Sequence, residues 1–365
     1  MQLDFFPSRT LTLYLAKLFA VRIAAMLFVL VLVLMMLDLL SSSGEILAVP
    51  GNGQGELLTY AGLRIPQLIS RFLPYSVLLA TLITLVTLNQ NSEVIAMKAA
   101  GLSAHQVLAP LLLTAGIVSL VTFGFNERVV TRATATLKAW EAVDFGPIPT
   151  DSRVRTNIYL TDNGNILTAA YLAGTGDAIA MRKVTWYQRN AEGMIVEQVQ
   201  ADTARYASPG WQLEGITRFS VQNAVTERPA TMVVGEGLTP DQIDLAKIDP
   251  DTEPFWTLTQ SIAEFERAGR RTSELRAKWW HKISGPLSAF LMPLLGAVAA
   301  FGLARSGQLF VRAVIGMALG FAYFVIDNAA LAMGSFGGYP PSLAAWAPFF
   351  LFLLIGETVL IRTEE

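Results

Sequence analysis

Six long apolar stretches, three on each side of a charged middle segment, constrain the fold of this 365-residue chain more than any other feature. A helix that crosses the hydrocarbon core of a bilayer needs about 20 apolar residues. Stretches of about this length occupy residues 18–40, 68–88, 107–125, 283–304, 311–333 and 343–361. The sequence therefore predicts six membrane-spanning helices. The first stretch is too long for the core of a secretory signal peptide, so we expect it to be retained.

Charged residues are concentrated between the third and fourth apolar stretches. Of the 56 Lys, Arg, Asp and Glu residues, 37 lie between Glu127 and Lys278, a density of about one in four that is typical of a soluble domain. This pattern divides the chain into an N-terminal membrane half (1–126), a soluble domain (127–278) and a C-terminal membrane half (279–365). The soluble segment has a net charge of −3 and the remainder +1, so the chain has no basic field to hold a nucleic acid.

Lysines and arginines in the short loops predict the orientation, because they are enriched on the cytosolic side of a membrane. One set of loops and the two ends of the chain carry most of them: Arg9, Lys17, Arg22, Lys98, Arg305, Arg312 and Arg362. The opposite short loops contribute only Arg64 and Arg71. We therefore expect both termini in the cytosol and the soluble domain on the outer side, which in a bacterium is the periplasm.

Short runs of β-branched and aromatic residues alternate with turn residues in the soluble segment. Residues 156–161 and 166–171 flank Asp-Asn-Gly-Asn, and 183–188 and 194–200 flank Asn-Ala-Glu-Gly, which is the composition of tight hairpins. Residues 217–221 alternate in polarity as a half-buried strand does. The predicted fold class is an α-helical polytopic membrane protein with an inserted all-β domain, an antiparallel sandwich or jellyroll. Its interior is either a closed apolar core or a space between two sheets that accepts an apolar ligand.

A helix is predicted at the end of the soluble segment, with a capping box at Thr257 and Gln260 and a C-terminus at Gly269. Four cations follow it, at Arg270, Arg271, Arg276 and Lys278, just before the Trp279-Trp280 pair. They allow two interpretations. They are either an ordinary interfacial anchor with the tryptophans, or a basic collar for an anionic lipid headgroup.

Several classes of chemistry are excluded by residues that the chain lacks. It has no cysteine, so thiolate metal sites, disulfides and cysteine nucleophiles are impossible. It also has no Gly-Lys dipeptide for a Walker A loop, no HExxH and no GxSxG. The two histidines, His105 and His281, are predicted at opposite membrane faces and cannot share one metal. An enzyme would have to work with carboxylates alone.

Three acids lie in or near the predicted spans, at Asp38, Asp327 and Glu357. Intramembrane acids are costly, so each is a functional candidate. Asp38 and Glu357 are predicted near the interfaces, and Asp327 is deeper. A hydrogen bond between helices is the preferred role of Asp327, and direct ligand contact is the alternative. A membrane enzyme built on Asp38 or Asp327 is disfavoured, because no second polar catalytic group lies near either one on a helical register.

A short amphipathic helix is predicted at about residues 91–101, on the cytosolic side between the second and third spans. Asn91 or Ser92 can cap it, and Glu93 in the first turn suits the helix dipole. Val94 and Met97 lie on one face. Such a helix either rests on the membrane surface or docks into a groove of the ATPase subunit of an ABC transporter.

Five blocks of sequence resemble the LptF/LptG (YjgP/YjgQ) family of lipopolysaccharide export permeases. They are SEVIAMKAAG at 92–101, LTPD at 238–241, WHKI at 280–283 with PLS at 286–288, GFAYFVIDN at 320–328 and GYPP at 338–341. The resemblance covers essentially the whole chain, and the last two blocks favour the LptG branch of the family.

The resemblance implies a subunit that extracts lipopolysaccharide from the outer leaflet of the inner membrane. The implied partners are an LptF-like paralogue, an LptB-like ATPase dimer and an LptC/LptA-like periplasmic bridge. The chain itself would need no cofactor, because ATP would be bound by the partner. Glu93, with Val94 and Met97, would couple the chain to the ATPase. A mechanotransmitting ABC subunit of the MacB or FtsX kind is the alternative, disfavoured by the three-plus-three arrangement of spans.

One part of the family pattern is missing. Members carry basic residues at the outer end of the first span for lipid phosphates, whereas residues 35–42 here read MMLDLLSS. Arg132 and Lys138, after the third span, are the alternative cations. Together with Asp38 and Asp327 they form our candidates for the lipid cavity, whose apolar wall is expected mainly from the first and fifth spans.

Overall fold

The structure is a computed structural model. It describes residues 6–142, 144–148, 155–173, 180–190, 192–221, 223, 225–238, 248–267, 269–298 and 309–364. The chain divides into two compact units. The first, the helical unit, consists of Met1–Leu39, Arg64–Thr131 and Pro254–Glu365, and the second, the sheet unit, consists of Leu40–Leu63 and Arg132–Glu253. The domain boundaries expected from charge, at 126/127 and 278/279, stay a prediction.

The described helices are named in chain order. They are α1 (Arg9–Ala48), α2 (Gln54–Gln90), α3 (Glu93–Ala99), α4 (Ala104–Phe125), α5 (Thr131–Ala142), α6 (Phe255–Arg267), α7 (Ser273–Ala297), α8 (Leu309–Ser335) and α9 (Pro341–Glu364). A five-residue π-helical segment, Asn126–Val130, joins α4 to α5 without a break. In the hydrocarbon core a helix satisfies all its backbone hydrogen bonds internally, which is why such apolar runs adopt this form.

Five helical stretches are long and apolar enough to cross a membrane, at Arg9–Ala48, Gln54–Gln90, Ala104–Glu141, Val314–Ser335 and Pro341–Arg362. Four of them contain a predicted span in full, and Val314–Ser335 covers all but the first three residues of the predicted span 311–333. Helix α7 holds the beginning of the fourth predicted span, whose residues 299–304 lie outside the described residues. A polytopic helical protein is therefore confirmed, and the count of six spans stays a prediction.

Helices α1 and α2 are 40 and 37 residues long, which corresponds to about 60 and 55 Å. Both exceed the hydrocarbon thickness of about 30 Å. The helix ends that meet at Asn52 belong to the sheet unit, where Nδ2 of Asn52 donates to the carbonyls of Ile46 (3.0 Å) and Phe145 (2.8 Å). Tyr60 and Trp140 are buried beside Phe145. The apolar run of α1 did not reveal this extension, because the run is followed by the polar or small residues 41–45, SSSGE.

The core of the helical unit is formed where α7 packs against α4, α8 and α9. Glycines allow the closest helix approaches. A Cβ atom at Gly334 would lie 2.3 Å from Cβ of Ala344, and one at Gly356 would lie 2.6 Å from side-chain atoms of Leu294. Small residues are enriched at such interfaces because lipid tails supply no hydrophobic drive for helices to associate, so close packing must hold them together.

The sheet unit contains eight antiparallel strands in one hydrogen-bonded sheet. The strands are β1 (Arg155–Asp162), β2 (Asn165–Ala173), β3 (Ala180–Arg189), β4 (Ile195–Ala207), β5 (Gly210–Glu214), β6 (Thr217–Ser220), β7 (Val225–Glu227) and β8 (Thr231–Val234). The main order is β1-β2-β3-β4-β5-β8, with β6 pairing β4 and β7. Both predicted hairpins and the strand at 217–221 are confirmed. The turns use positive φ at Asn163, Gly164 and Gly193.

Alternate residues of the strands face a single buried core that includes Trp186, Val199, Trp211 and Leu213. The 13-residue strand β4 pairs β3 along one edge, and β5 and β6 in succession along the other. All eight described strands therefore belong to one sheet, and its closure into a jellyroll stays a prediction.

One acid is buried in this sheet. Glu197 on β4 accepts two hydrogen bonds from Arg218 on β6, at 2.6 and 2.7 Å. These hydrogen bonds, with the charge of Glu197, raise the pKa of the Arg218 guanidinium above its usual value. A buried carboxylate is thereby paired, as burial of a charge requires.

The predicted return helix forms, but it begins earlier than expected. Helix α6 starts at Phe255, so Thr257 lies in its first turn, and the capping-box prediction is wrong. The N–H of Leu258 already bonds the carbonyl of Pro254. The prediction for the other end is confirmed, because Gly269 has a φ of +67° and the N–H of Arg270 bonds the carbonyl of Phe265.

Candidate functional site

The short helix α3 lies between α2 and α4 in the chain, and a residue with left-handed backbone conformation stands at each of its ends. Ser92 has a φ of 58° at its start and makes no side-chain cap, contrary to the capping we expected there. Gly101 has a φ of +86° at its end, where the N–H of Leu102 bonds the carbonyl of Met97. This six-to-one hydrogen bond is the usual way to end a helix at a glycine.

The two faces of α3 differ in exposure. Val94 and Met97 are buried in the core of the helical unit. Ile95 is 61% exposed, and Lys98 is exposed as well. The predicted apolar face therefore packs against this chain's own helices. The surface that remains open for a partner is the opposite face, which our sequence interpretation did not identify.

Glu93 stands at the head of α3 and is half-buried. Its Oε2 accepts a hydrogen bond from the hydroxyl of Tyr14 on α1 (3.3 Å), and its Oε1 accepts one from Nδ2 of Asn91 (3.3 Å). Tyr14 is 79 residues away in sequence. One carboxylate thus links the start of α3 to the start of α1.

Asp38 on α1 is paired with Arg64 on α2. Nε and Nη2 of Arg64 donate to the two carboxylate oxygens at 3.1 and 3.0 Å, and Nη1 donates to Gln67 (2.8 Å). Such bidentate pairs are among the strongest charge-assisted hydrogen bonds. The acid near the end of the first predicted span is therefore paired with a cation of the second helix.

Asp327 on α8 is 9% exposed and lies 3.0 Å from Nε2 of His281 on α7. The predicted hydrogen bond between helices is confirmed. The expectation that Asp38 and Asp327 have no second polar group nearby is wrong. Both partners come from other helices, 26 and 46 residues away, where a helical register within one segment cannot show them.

Glu357 on α9 pairs with His105 on α4 at 3.3 Å. The two histidines, His105 and His281, therefore contact different acids. Within the described part of the chain, no group of three or more His, Asp or Glu residues is arranged to hold a metal ion.

The other candidate cations lie on α5 in the sheet unit. Lys138 forms an ion pair with Asp249, whereas Arg132 is exposed. Asp38 and Asp327 belong to the helical unit.

Arg276 and Arg270, two of the cations before the Trp279-Trp280 pair, contact residues of the same region. Arg276 pairs with Glu266 at 2.5 Å, and the guanidinium of Arg270 lies 4.7 Å from the ring centroid of Phe265. Trp279 stacks on Phe255 at 4.7 Å and donates to Oγ1 of Thr259. These contacts favour the anchor interpretation over a basic collar.

The family described as "Lipopolysaccharide export system permease LptF/LptG" matches residues 13–362. The chain belongs to this family. The lipopolysaccharide export system permease protein LptG of Escherichia coli (strain K12) is 25% identical over 310 residues, which cover 83% of this chain and 84% of that protein. The LptG of Haemophilus influenzae is 23% identical over 316 residues, covering 85% and 87%. The family is one of transport proteins, and this chain is a multi-pass membrane protein of the LptF/LptG type rather than an enzyme.

Proposed function

We propose that this chain is the LptG-type permease subunit of a lipopolysaccharide exporter in the bacterial inner membrane. The observation that carries the proposal is the family match, which extends over both helical regions and the inserted sheet. The similar proteins from E. coli and H. influenzae are named lipopolysaccharide export system permease proteins. The similarity to this chain extends over most of their length.

The proposed topology has six spans, both termini in the cytosol and a periplasmic insert at 127–278 that forms a jellyroll. The loop cations support the orientation. The LptF-like paralogue would complete the transport cavity, and an LptC/LptA-like bridge would receive the lipid at the insert.

Energy would enter through α3 from an LptB-like ATPase dimer that binds ATP. Glu93 and the exposed Ile95 would meet the ATPase, whereas Val94 and Met97 would anchor the helix to its own chain. A partner can drive transport only if it contacts the two states of the permease differently. The hydrogen bond from Tyr14 to Glu93 supports α1 as the first helix to move when the ATPase displaces α3.

Acyl chains would contact α1 and α8. Both helices expose large apolar side chains, namely Phe28, Leu32 and Met36 on α1 and Val314, Phe321 and Val325 on α8. Arg132 and Lys138 of the sheet unit are the proposed cations for the lipid phosphates. In the helical unit, Asp38 with its partner Arg64, and Asp327, are the proposed polar groups of the lipid cavity.

The proposal is tested by purifying the chain with its partners and measuring ATP-dependent release of lipopolysaccharide from proteoliposomes. We expect release by the wild type. Glu93→Ala should insert normally but bind the ATPase less or uncouple it, because the charge at the head of α3 is lost. Glu45→Ala is the matched control, since Glu45 is an exposed acid near the other end of α1 from Tyr14.

Wild-type release by Glu93→Ala would contradict the role of α3. ATP hydrolysis without release by the wild type would contradict the lipid substrate and favour a mechanotransmitting subunit.

A further inference from the structure

Glu127 lies close in sequence to the point where the chain leaves the helical unit, and it contacts a residue next to the point where the chain returns. The chain leaves the helical unit between Thr131 and Arg132 and returns between Glu253 and Pro254. Glu127 precedes the exit by four residues, and Phe255 is the second residue after the return. Glu127, Phe255 and all the contacts described below belong to the helical unit.

Both carboxylate oxygens of Glu127 are engaged. Oε2 accepts a hydrogen bond from the backbone N–H of Phe255, the first residue of α6. Oε1 faces Nζ of Lys282 on α7 at 3.6 Å. The first N–H groups of a helix have no partner within it and carry positive partial charge, so an acid there is favourable. The side chain of Glu127 therefore connects the π-helical segment after α4 to α6 and to α7.

This arrangement is shielded from solvent. The side chains of Glu127 and Lys282 are each 15% exposed. Phe123 packs edge-on against Phe255 at 6.1 Å, and Trp279 stacks on the same ring at 4.7 Å. A charge pair in such surroundings is screened far less than one at an exposed surface, so loss of either partner is felt strongly.

Glu127 lies on the five-residue π-helical segment Asn126–Val130. Single π-turns inside α-helices are rare and are found mostly at functional positions. Oδ1 of Asn126 is buried without a hydrogen-bond partner in the described part of the chain. The backbone is thus held in an uncommon form at the residue that makes the two ties.

We propose that Glu127 is a positioning residue of the export cycle, whose ties to Phe255 and Lys282 make the exit and the return of the chain move together with α7. Movement of the spans then reaches the sheet unit through both chain connections at once. This inference rests on the proposed function, because it supposes a transport cycle in which the spans move.

The Asp38–Arg64 pair repeats this relationship at the other two crossings. The chain leaves the helical unit after Leu39 and returns at Arg64, and the pair lies beside both points. Each pair of crossings is therefore joined by an acid within the helical unit.

The test compares Glu127→Gln and Glu127→Ala in the assembled complex in proteoliposomes. Glutamine keeps an acceptor for the N–H of Phe255 but loses the charge that faces Lys282, whereas alanine loses both ties. Glu264→Gln is the matched control, because Glu264 is an exposed acid on α6. Three quantities are measured: lipopolysaccharide released per ATP hydrolysed, the thermal midpoint of the complex, and one distance between the units.

The distance is measured by spin labels at Phe336→Cys in the helical unit and Met194→Cys in the sheet unit, both highly exposed positions. The chain has no cysteine of its own, so labelling is selective once partner cysteines are replaced. Distances are compared without nucleotide and with ATP plus vanadate. A merely structural role of Glu127 would not alter the nucleotide-dependent change.

We expect release per ATP to fall about 5-fold or more in Glu127→Ala, a coupling loss typical of linked sites, and less in Glu127→Gln. The nucleotide-dependent distance change should shrink in the same order while ATP hydrolysis continues and Glu264→Gln matches the wild type.

The proposal is overturned if both variants keep the release per ATP and the distance change. It is also overturned if release falls only in parallel with the thermal midpoint. If alanine prevents assembly, glutamine decides. Absence of release by the wild type contradicts the proposed function instead.

Discussion

Nε2 of His281 lies 3.0 Å from Oδ2 of Asp327. His281 is in the block WHKI and Asp327 is in the block GFAYFVIDN, so two of the segments that carry the family resemblance meet in space. The next residue, Lys282, faces Glu127. Two consecutive side chains of α7 thus contact α8 and the π-helical segment that follows α4. Helix α7 therefore connects these two parts of the helical unit.

Replacement of Asp327 by alanine is expected to destabilise the packing of α7 on α8. The loss removes a hydrogen bond between helices and leaves the His281 ring without its acceptor, a cost of about 1–2 kcal/mol in a membrane. The thermal midpoint of the purified complex in nanodiscs should fall.

The conservative replacement Asp327→Asn serves as the control. The amide oxygen of the asparagine still accepts from His281, and the midpoint should lie closer to that of the wild type. Equal midpoints for Asp327→Ala and the wild type would show that the contact adds nothing to stability.

The parts of the fold that sequence predicts well are those encoded locally. The hairpin at 162–165 follows from Asn and Gly at positions of positive φ, and α3 follows from a glycine at its end and a short apolar face. The ion pairs could not be predicted, because Arg64 and His281 are met by acids 26 and 46 residues away. Only the packing of helices brings such partners together.

The two faces of α3 should respond differently to an added charge. Ile95→Asp places a carboxylate on the open face, so the chain should fold and insert while its association with the ATPase weakens. Val94→Asp places the same group in the core of the helical unit, where an unpaired charge is costly, and should reduce the amount of folded protein. Membrane yield and co-purification of the ATPase distinguish the two effects. Loss of yield in Ile95→Asp, or normal yield in Val94→Asp, would contradict the observed orientation.

The sequence predicts that the apolar face of α3 contacts the partner, whereas this face is buried in the helical unit. An amphipathic pattern shows that one face is covered, but it does not show by what. Here Val94 and Met97 are covered by this chain's own helices.

Asp38 and Arg64 should have opposite effects on anionic lipid. Arg64→Gln removes a cation from the outer part of α2 and should weaken binding of lipopolysaccharide phosphates. Asp38→Asn keeps the shape of the side chain but removes the charge that neutralises Arg64, so binding should strengthen. Binding to the purified complex is measured with intact and dephosphorylated lipid at two salt concentrations. An identical change in both variants would indicate that the pair acts only in folding.

Trp211 is expected to stabilise the sheet unit through both its volume and its N–H. The side chain is fully buried, and Nε1 donates to the carbonyl of Leu238 at 2.9 Å, where the LTPD block begins. Trp211→Phe keeps most of the volume but leaves that carbonyl without its donor, at a cost of about 1–3 kcal/mol. Trp211→Ala adds a cavity and should cost about 3–5 kcal/mol.

Limited proteolysis of the full chain in the membrane should cut the insert slowly in the wild type, faster in the phenylalanine variant and fastest in the alanine variant. Trp256→Phe is the matched control, because Trp256 is 76% exposed and its replacement should leave the cleavage rate unchanged. Equal rates for Trp211→Phe and the wild type would show that the hydrogen bond to Leu238 does not stabilise the sheet unit.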